Sequence, residues 1–597
     1  MQSIIQSMAF RLFVFIVMTT ILLMYGVTFV HTRGRGSAAT GGIGIESLLH
    51  DANRTFTLLL AQQTHTYEEA AQAYRERRKR CPPPGFRRFH QHLIDTDSIS
   101  IEAFWDQIYV DLEPFWALPP SFVRALASTL VRQTSTSAPT ASSIPRIVGI
   151  SIRQGQVRSW CEPDDVTCPY LTSMLQRIAA LLPDIDLAIN AHASPRVLVP
   201  SGVMEASRQH ARALVARAIA TPGAPAHVYS GSVHRPAEPS DAQTARLVTE
   251  AWDRVTVPRD RLPDICSHQE HTHSSTHASQ SVCSYPHLAH VHGALLAPNL
   301  VSSTRHLLPI FSDSHIRGVG AEITVPALHY WMDLPSFSIP AHIEAAEYNE
   351  STWMAKQTQA YWRGSNTGGR HRSQTWTAFH RHRFVALTNA TYLQRAAHGL
   401  SFDWANASLS RPKDTSVLEI PPVAWMSKYV NTAFTTLRCG NSQWNTALSC
   451  KYLENHFRVA PQTQFEHTLT NKYLLDIDGN SYSARYRALL LSGSVVMKAT
   501  IFDEWHDARL VPWKHYVPLD MAFGHDLWEK LCFFIGSCCK LGTCEGHDDL
   551  AQAMGTASAR WSRRVLRKVD MEIYWLRLLL EYARIADERR NVLCESE

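Results

Sequence analysis

The chain has 597 residues, too many for one ordinary hydrophobic core, so two large domains with added segments are expected. Hydrophobic residues make up 45% and charged residues 19%, which excludes a disordered chain. A net charge of only +5 leaves no electrostatic footprint for nucleic acid, although thirty histidines would raise that charge in mild acid.

In chain order, the first signal is Leu12 to Val30, "LFVFIVMTTILLMYGVTFV", nineteen residues without a charge. At helical rise they span roughly 28 Å, enough to cross a bilayer core. The rival reading is a cleaved signal peptide, whose apolar region is usually about 7–15 residues. Arg11 lies before the stretch and Arg33 and Arg35 after it, so flanking charge does not orient it. The next residues, "HTRGRGSAATGGIG", are small and polar like a stem. A helical pattern near Tyr67–Arg80 stops at "CPPPGF".

Ile144–Trp160 predicts two strands around a Gln-Gly turn. "MLQRIAALLPDIDLAINAHASPRVLVP" predicts helix, turn, strand and loop. Residues 263–292 read as a polar, His- and Ser-rich insertion that either binds a transition metal or is simply a solvated loop. "LLPIFSDS" and "AEITVP" predict further strands, and strands alternate with helices through 355–520. The end is helical, with Leu566, Met571, Tyr574, Leu578, Tyr582 and Ile585 in an apolar stripe. This alternation predicts an α/β architecture. Sequons begin at Asn53, Asn349, Asn389 and Asn406, and the close pairs Cys161/Cys168, Cys266/Cys283 and Cys439/Cys450 suit local disulfides in an oxidising compartment.

Two loops attract attention as anion sites. Lys472–Thr500 predicts a β-α-β unit with Arg485 in the first turn of its helix, where amide donors and a guanidinium fork suit phosphate oxygens. Ser481 and Ser483 add hydroxyls; the bland alternative is a surface arginine beside a capping serine. The second loop, "YWRGSNTGG", offers Arg363, the Ser365 hydroxyl and three glycines, Gly364, Gly368 and Gly369, that permit close backbone approach.

At these residues the sequence resembles the CAP10-type glycosyltransferases (glycosyltransferase family 90), fungal capsule-associated proteins related to the protein O-glucosyltransferases. The resemblance rests on "YWRGSNTGG", on Lys472–Leu519, on "RWSRRVLRKVDMEIYWLRLLLEYARIADE" and, upstream, on "RCPPPGF", "FWDQIYVDLEPFWALPP" and "LPDIDLAIN…PRVLVP". It implies a GT-B-like fold of two Rossmann-like domains facing a cleft, a UDP- or related nucleotide-sugar donor, inversion at the anomeric carbon and no obligatory metal or other cofactor. It places donor binding on Arg363, Gly364, Ser365, His371, Asn480, Ser481, Tyr482, Ser483, Ala484 and Arg485; Arg370 and Arg372 flank His371 and compete for its role. The expected organisation is a cytoplasmic tail (1–11), a transmembrane helix (12–30), a stem (31–66), an acceptor-side domain (67–345) and a nucleotide-sugar domain (346–597) whose last helices pack back on the first. The expected setting is single-pass type II, in the Golgi or endoplasmic reticulum lumen.

One departure matters. Relatives carry an aspartate as general base where this chain has Ala193, and alanine cannot remove the acceptor proton. His192 is the substitute the sequence offers. The expected activity is therefore transfer of a xylose-, glucose- or mannose-class sugar to a glycan or protein hydroxyl; the alternative is a catalytically impaired sugar-nucleotide- or glycan-binding protein. Asp476 and Asp478 resemble a metal-binding Asp-x-Asp pair, but turn and capping roles fit their context better. "SCCKLGTC", from Ser537, reads as an inserted loop.

Overall fold

Gln154 and Gly155 both adopt left-handed backbone (φ 49° and 73°) and make the two-residue turn their sequence predicts. They join β1 (Ile147–Arg153) to β2 (Gln156–Trp160) in an antiparallel hairpin. The computed structural model describes residues 41–136, 147–161, 165–220, 241–254, 262–263, 266, 281–298, 302–332, 340–345, 350–397, 421–439, 450–538 and 545–595. The chain divides into two compact units, 1–46 and 47–597, and among the described residues every strand belongs to the second.

β3 (Ile185–Asn190) pairs antiparallel with β1, whereas β6 (Ile310–Ser312) and β8 (Ile323–Thr324) extend the sheet in parallel beyond β3. The order is β2-β1-β3-β6-β8. β4 (Trp252–Arg254) and β5 (Ser302–Thr304) form a separate antiparallel pair. The second sheet contains β9 (Gln357–Ser365), β10 (Val430–Thr436), β11 (Asn471–Ile477), β12 (Val495–Ala499) and β14 (Val517–Pro518), in the order β10-β9-β11-β12-β14 and parallel throughout. β11 is buried on both faces, which is why its sequence reads as one apolar run. β7 (His315–Ile316) and β13 (Phe502–Asp503) pair across from one half of the unit to the other.

These sheets correct the expected fold class. The second sheet is doubly wound, but the first is mixed, because the tight β1–β2 hairpin and the β1–β3 pairing reverse strand direction; it is not a second Rossmann-like sheet. The expected membrane helix and the single-pass localisation are corrected too. Among the described residues no helix is long and apolar enough to cross a membrane. The 20-residue helix Gly41–Leu60, in the expected stem, carries Glu46, Asp51 and Arg54, and Phe56 on it packs against His515 and Trp561. The stretch 12–30 itself lies outside the described residues.

The helix Lys568–Ile585 is buried nearly all round. Its apolar stripe joins one core with the helices Tyr67–Arg78, Phe86–Asp95 and Cys168–Ile178. Its polar side is buried as well: Arg577, fully buried, donates to Glu102 (2.8 Å) and Tyr109 (2.7 Å), while Tyr74 and Tyr109 donate to Glu581 at 2.9 and 2.6 Å. A disulfide from Cys81 to Cys594 closes this bundle. The three close cysteine pairs are bridged as their spacing suggests, and Cys532 joins Cys538, which removes the latter from any free-thiol role. Of the sequons, Asn349 and Asn406 lie outside the described residues. Asn389 is committed to a helix start, donating to Thr432 O (2.9 Å) and accepting from Tyr392 N (3.0 Å).

Candidate functional site

In the second sheet the chain runs from β9 outward to β10, then returns to β11 and continues the other way. Strand order therefore reverses between β9 and β11, and a crevice opens beyond the carboxyl ends of strands at such a point. The two loops singled out in the sequence leave β9 and β11 here and are tied directly together. The Asn480 side-chain oxygen accepts from Gly368 N (3.0 Å) and Gly369 N (3.3 Å).

Arg381 holds the two strand ends in register. Its guanidinium donates to Asp478 O (2.7 Å), Ile477 O (2.9 Å), Ser365 O (2.9 Å) and the Thr367 hydroxyl (2.7 Å). Burial, reinforced by the nearby Arg485 charge, lowers its pKa to about 9. Beside it the His380 ring stacks on His292 at 4.0 Å. His380 accepts from Gly293 N at Nδ1 (3.2 Å), so its proton sits on Nε2, which donates to Asp478 O (2.8 Å). Burial pushes both histidines far below their usual range, to about 3 for His292, and keeps them neutral.

Gly368 is required by this packing. Its φ is +116°, and an added Cβ would lie 2.4 Å from the His380 ring and 3.1 Å from Gly479 O. Gly368→Ala is expected to destabilise the protein by about 1–3 kcal/mol through backbone strain alone, with a steric cost in addition. A thermal melt checks this; an unchanged melting temperature contradicts the packing described.

Arg485 precedes the short helix Tyr486–Leu490. The sequence predicts a longer helix, Ala484–Ser492, with a strong amide terminus. At five residues it contributes little dipole, and the positive charge here is the guanidinium itself. Arg485 donates to Arg363 O and lies 5.8 Å from the Trp362 ring, whose other near cation is Arg381 at 5.5 Å. Burial lowers the Arg485 pKa, with Asp476 opposing. The Arg363 side chain goes elsewhere: it donates to Asn431 O (2.9 Å) and Asn431 Oδ1 (2.7 Å) and lies 4.5 Å from the Tyr361 ring. The structure thus brings Gly364, Ser365, Asn480 and Arg485 together but turns the Arg363 charge toward β10.

The other sequence candidates take varied places. His371 is buried between Asn366 Nδ2 (2.9 Å) and the Tyr452 hydroxyl (2.9 Å), and burial lowers its pKa to about 4, so it is neutral. Ser481 and Ser483 are buried, and Ser483 bonds the Asp476 carboxylate behind the loop. Ala484 is half-buried against the core. Tyr482 reaches toward the first sheet. Its hydroxyl donates to Asp313 (2.9 Å) and therefore accepts from His329 Nδ1 (3.1 Å).

The first sheet closes the other side. The loop after β3 holds His192, half-buried, and Ala193, exposed. Asn190 fixes this loop by accepting from His192 N (3.1 Å) and donating to Ser194 O (3.0 Å) and the Ser312 hydroxyl (3.2 Å). The Ser194 hydroxyl donates to Asn480 O (3.1 Å), so Ala193 stands one residue from a direct bond to the loop after β11.

Buried charges brace this junction. Glu504 accepts from Lys498 (2.7 Å) and from Tyr330 (2.9 Å). His315 lies 3.3 Å from Asp503 and 3.8 Å from Asp111. Burial alone would depress its pKa, but those two carboxylates override it and raise it to about 9. A histidine raised in the folded state stabilises fully below its unfolded pKa and ceases to do so as pH rises through the folded value. Stability is therefore expected to fall between about pH 6.5 and 9, and His315→Gln is expected to flatten that slope. Denaturant midpoints across this range check it; an unaltered slope in the variant contradicts the assignment.

Asp476 and Asp478 are each buried. Burial raises their pKa values to about 6 and 7, and Asp478 accepts from Ile501 N at 2.9 Å. Among the described residues no group of three His, Cys, Asp or Glu side chains is arranged to hold a metal. Most of the His-rich insertion lies outside the described residues, and His292, its last member, is the buried ring stacked on His380. A cavity of about 960 Å³ lies at the start of β3, where Arg153, Asp184 and Asp186 meet Arg88, Arg124 and Glu588. No residue of the two loops lines it.

Sequence reading missed Arg381, His380 and Asp313. The signal for the first two is "HRHRF", four basic residues opening a helix, His380–Thr388, whose residues are all buried. Consecutive buried bases need backbone acceptors, and strand ends supply them.

Residues 431–593 match the model of Glycosyl transferase family 90. The O-glucosyltransferase rumi homolog of Aedes aegypti is 30% identical over 131 residues, 21% of this chain and 30% of that protein. Protein O-glucosyltransferase 1 of Rattus norvegicus is 32% identical over 116 residues, 19% of this chain and 26% of that protein. Protein O-glucosyltransferase 3 of Mus musculus is 30% identical over 113 residues, 19% and 20% of the two chains. The matches thus span less than a third of each of these relatives' lengths. The family match covers the Asn480–Arg485 loop but not Arg363–Gly369 or Ala193.

Proposed function

We propose that this chain is a glycosyltransferase that moves a sugar from a nucleoside-diphosphate donor, a UDP-sugar, to a hydroxyl of a protein or glycan. The names of the matched relatives favour glucose as the first sugar to test, ahead of xylose and mannose. The donor diphosphate lies in the crevice between β9 and β11, against Arg485, the Ser365 hydroxyl and the backbone of the 365–369 and 480–485 loops. The observation that carries this reading is the convergence there of a half-buried arginine and two small-residue loops joined through Asn480.

The chemistry follows from charge. As the bond from C1 to the phosphate oxygen breaks, negative charge grows on the diphosphate. A fixed guanidinium stabilises that charge more than it stabilises the bound donor. The acceptor oxygen attacks from the opposite face, which inverts the anomeric carbon. Asp476 and Asp478 are committed to Ser483 and to Ile501 N, so the arginine rather than a carboxylate-held divalent metal carries the neutralisation. The test is UDP release from UDP-glucose, UDP-xylose and GDP-mannose by the purified chain, with and without EDTA. Release from one donor that persists in EDTA is expected. No release from any of them, with no binding of UDP, rejects the reading.

A further inference from the structure

We infer that Asp313 is the base that takes the proton from the acceptor hydroxyl, an inference that rests on the glycosyltransferase reading above. Inverting transfer requires one balanced step. The acceptor oxygen gives its electron pair to C1, the C1–O bond to the diphosphate breaks with its electrons leaving on the diphosphate, and the hydroxyl proton passes to a carboxylate. The group must stand where the first sheet faces the loop after β11.

Asp313 stands there. It directly follows β6, whose last residue, Ser312, is bonded to Asn190 at the end of β3 (3.2 Å). Its Oδ2 accepts from the Tyr482 hydroxyl (2.9 Å) on the opposite loop. It therefore lies at the junction that Ser194 and Asn480 also bridge. The other carboxylates near this junction are committed. Asp478 accepts from Ile501 N, Asp476 bonds Ser483, and Glu504 is paired with Lys498 and Tyr330, each at 1% exposure or less. Asp313 retains partial exposure, and one of its oxygens is oriented by Tyr482. It also accepts from Leu328 N, and a carboxylate has about four lone-pair positions, so these two bonds leave room for a proton. Burial raises its pKa, with His329 and the bonds from Tyr482 and Leu328 N opposing, which strengthens it as a base.

The test compares wild type with Asp313→Asn, Asp313→Glu and His192→Ala, reading UDP-glucose turnover and UDP affinity. Asp313→Asn is expected to lose about 10²–10⁴-fold in kcat with UDP affinity within about twofold of wild type. The acid limb of the kcat profile, set by Asp313 among its neighbours Tyr482, His329 and Glu504, should disappear. Asp313→Glu should restore part of the rate, and His192→Ala should retain it. Wild-type turnover left intact by Asp313→Asn, or lost instead in His192→Ala, overturns the assignment while the glycosyltransferase reading stands. Loss of UDP affinity in both Asp313 variants marks a structural role and also overturns it. A wild-type chain that neither binds UDP nor releases it from UDP-glucose overturns both.

Discussion

Arg485→Ala is expected to lower UDP-glucose turnover by about 10²–10³-fold, the usual cost of removing one preorganised charge donor at a leaving group. The effect should be that large because the guanidinium is half-buried, fixed to Arg363 O and held 5.8 Å from the Trp362 ring, so it is already placed when charge develops. Arg485→Lys should recover little, because an ammonium cannot hold Arg363 O and present a second donor in the same plane. Arg363→Ala should cost much less in turnover, since that side chain is bonded to Asn431 and lies beside Tyr361. Steady-state kinetics on the three variants decides the matter. Equal losses at 363 and 485 contradict the division of labour described here.

The largest stability effect is expected at Arg577. This fully buried guanidinium holds Glu102 and Tyr109, lies 3.6 Å from Glu581 and touches the rings of Tyr74, Phe86 and Phe89. Burial works against its charge, but Glu102, Tyr109 and Glu581 together raise its pKa instead. Removing it strands buried carboxylates between the last helix and the N-terminal helices, at a cost of about 3–5 kcal/mol. Arg577→Met is expected to melt well below wild type. Adding Glu102→Gln and Glu581→Gln should recover much of the loss, because the stranded charges are then gone. If the triple variant melts no higher than the single one, the penalty is lost packing and not unpaired charge.

Part of this architecture is legible locally. Period and turn residues report β1, β2 and β11, because a Gln-Gly turn and a doubly buried strand leave direct marks on composition. The stripe from Leu566 to Ile585 reports a helix, yet not that Glu572, Arg577 and Glu581 on its other side are buried too; for Arg577 and Glu581 that depends on partners some 470–510 residues away. Nothing near Cys81 points to Cys594, 513 residues on, whereas the close pairs declare themselves. The mixed first sheet is hidden for the same reason, since pairing direction is a tertiary property of β1 and β3.

The site shows a similar division. Glycines and Asn480 mark the two loops, because close backbone approach demands particular residues. The helix Tyr486–Leu490 is shorter than its pattern predicts, with Leu491 and Ser492 passing into a turn before β12. Arg363 looks like a ligand from its place in "YWRGS", but neighbouring β10 offers it Asn431. Arg381 and Asp313 carry no local motif; only assembly of the two sheets places them.

The central claim is that a diphosphate is held between β9 and β11 by Arg485, and calorimetric titration of UDP and of uridine into wild type and Arg485→Ala tests it most directly. Charge-assisted hydrogen bonds to phosphate contribute about 1.5–3 kcal/mol, so UDP affinity should fall by about 10–100-fold in the variant while uridine affinity is unchanged. UDP binding equally tight in both proteins would place the diphosphate elsewhere and contradict the account.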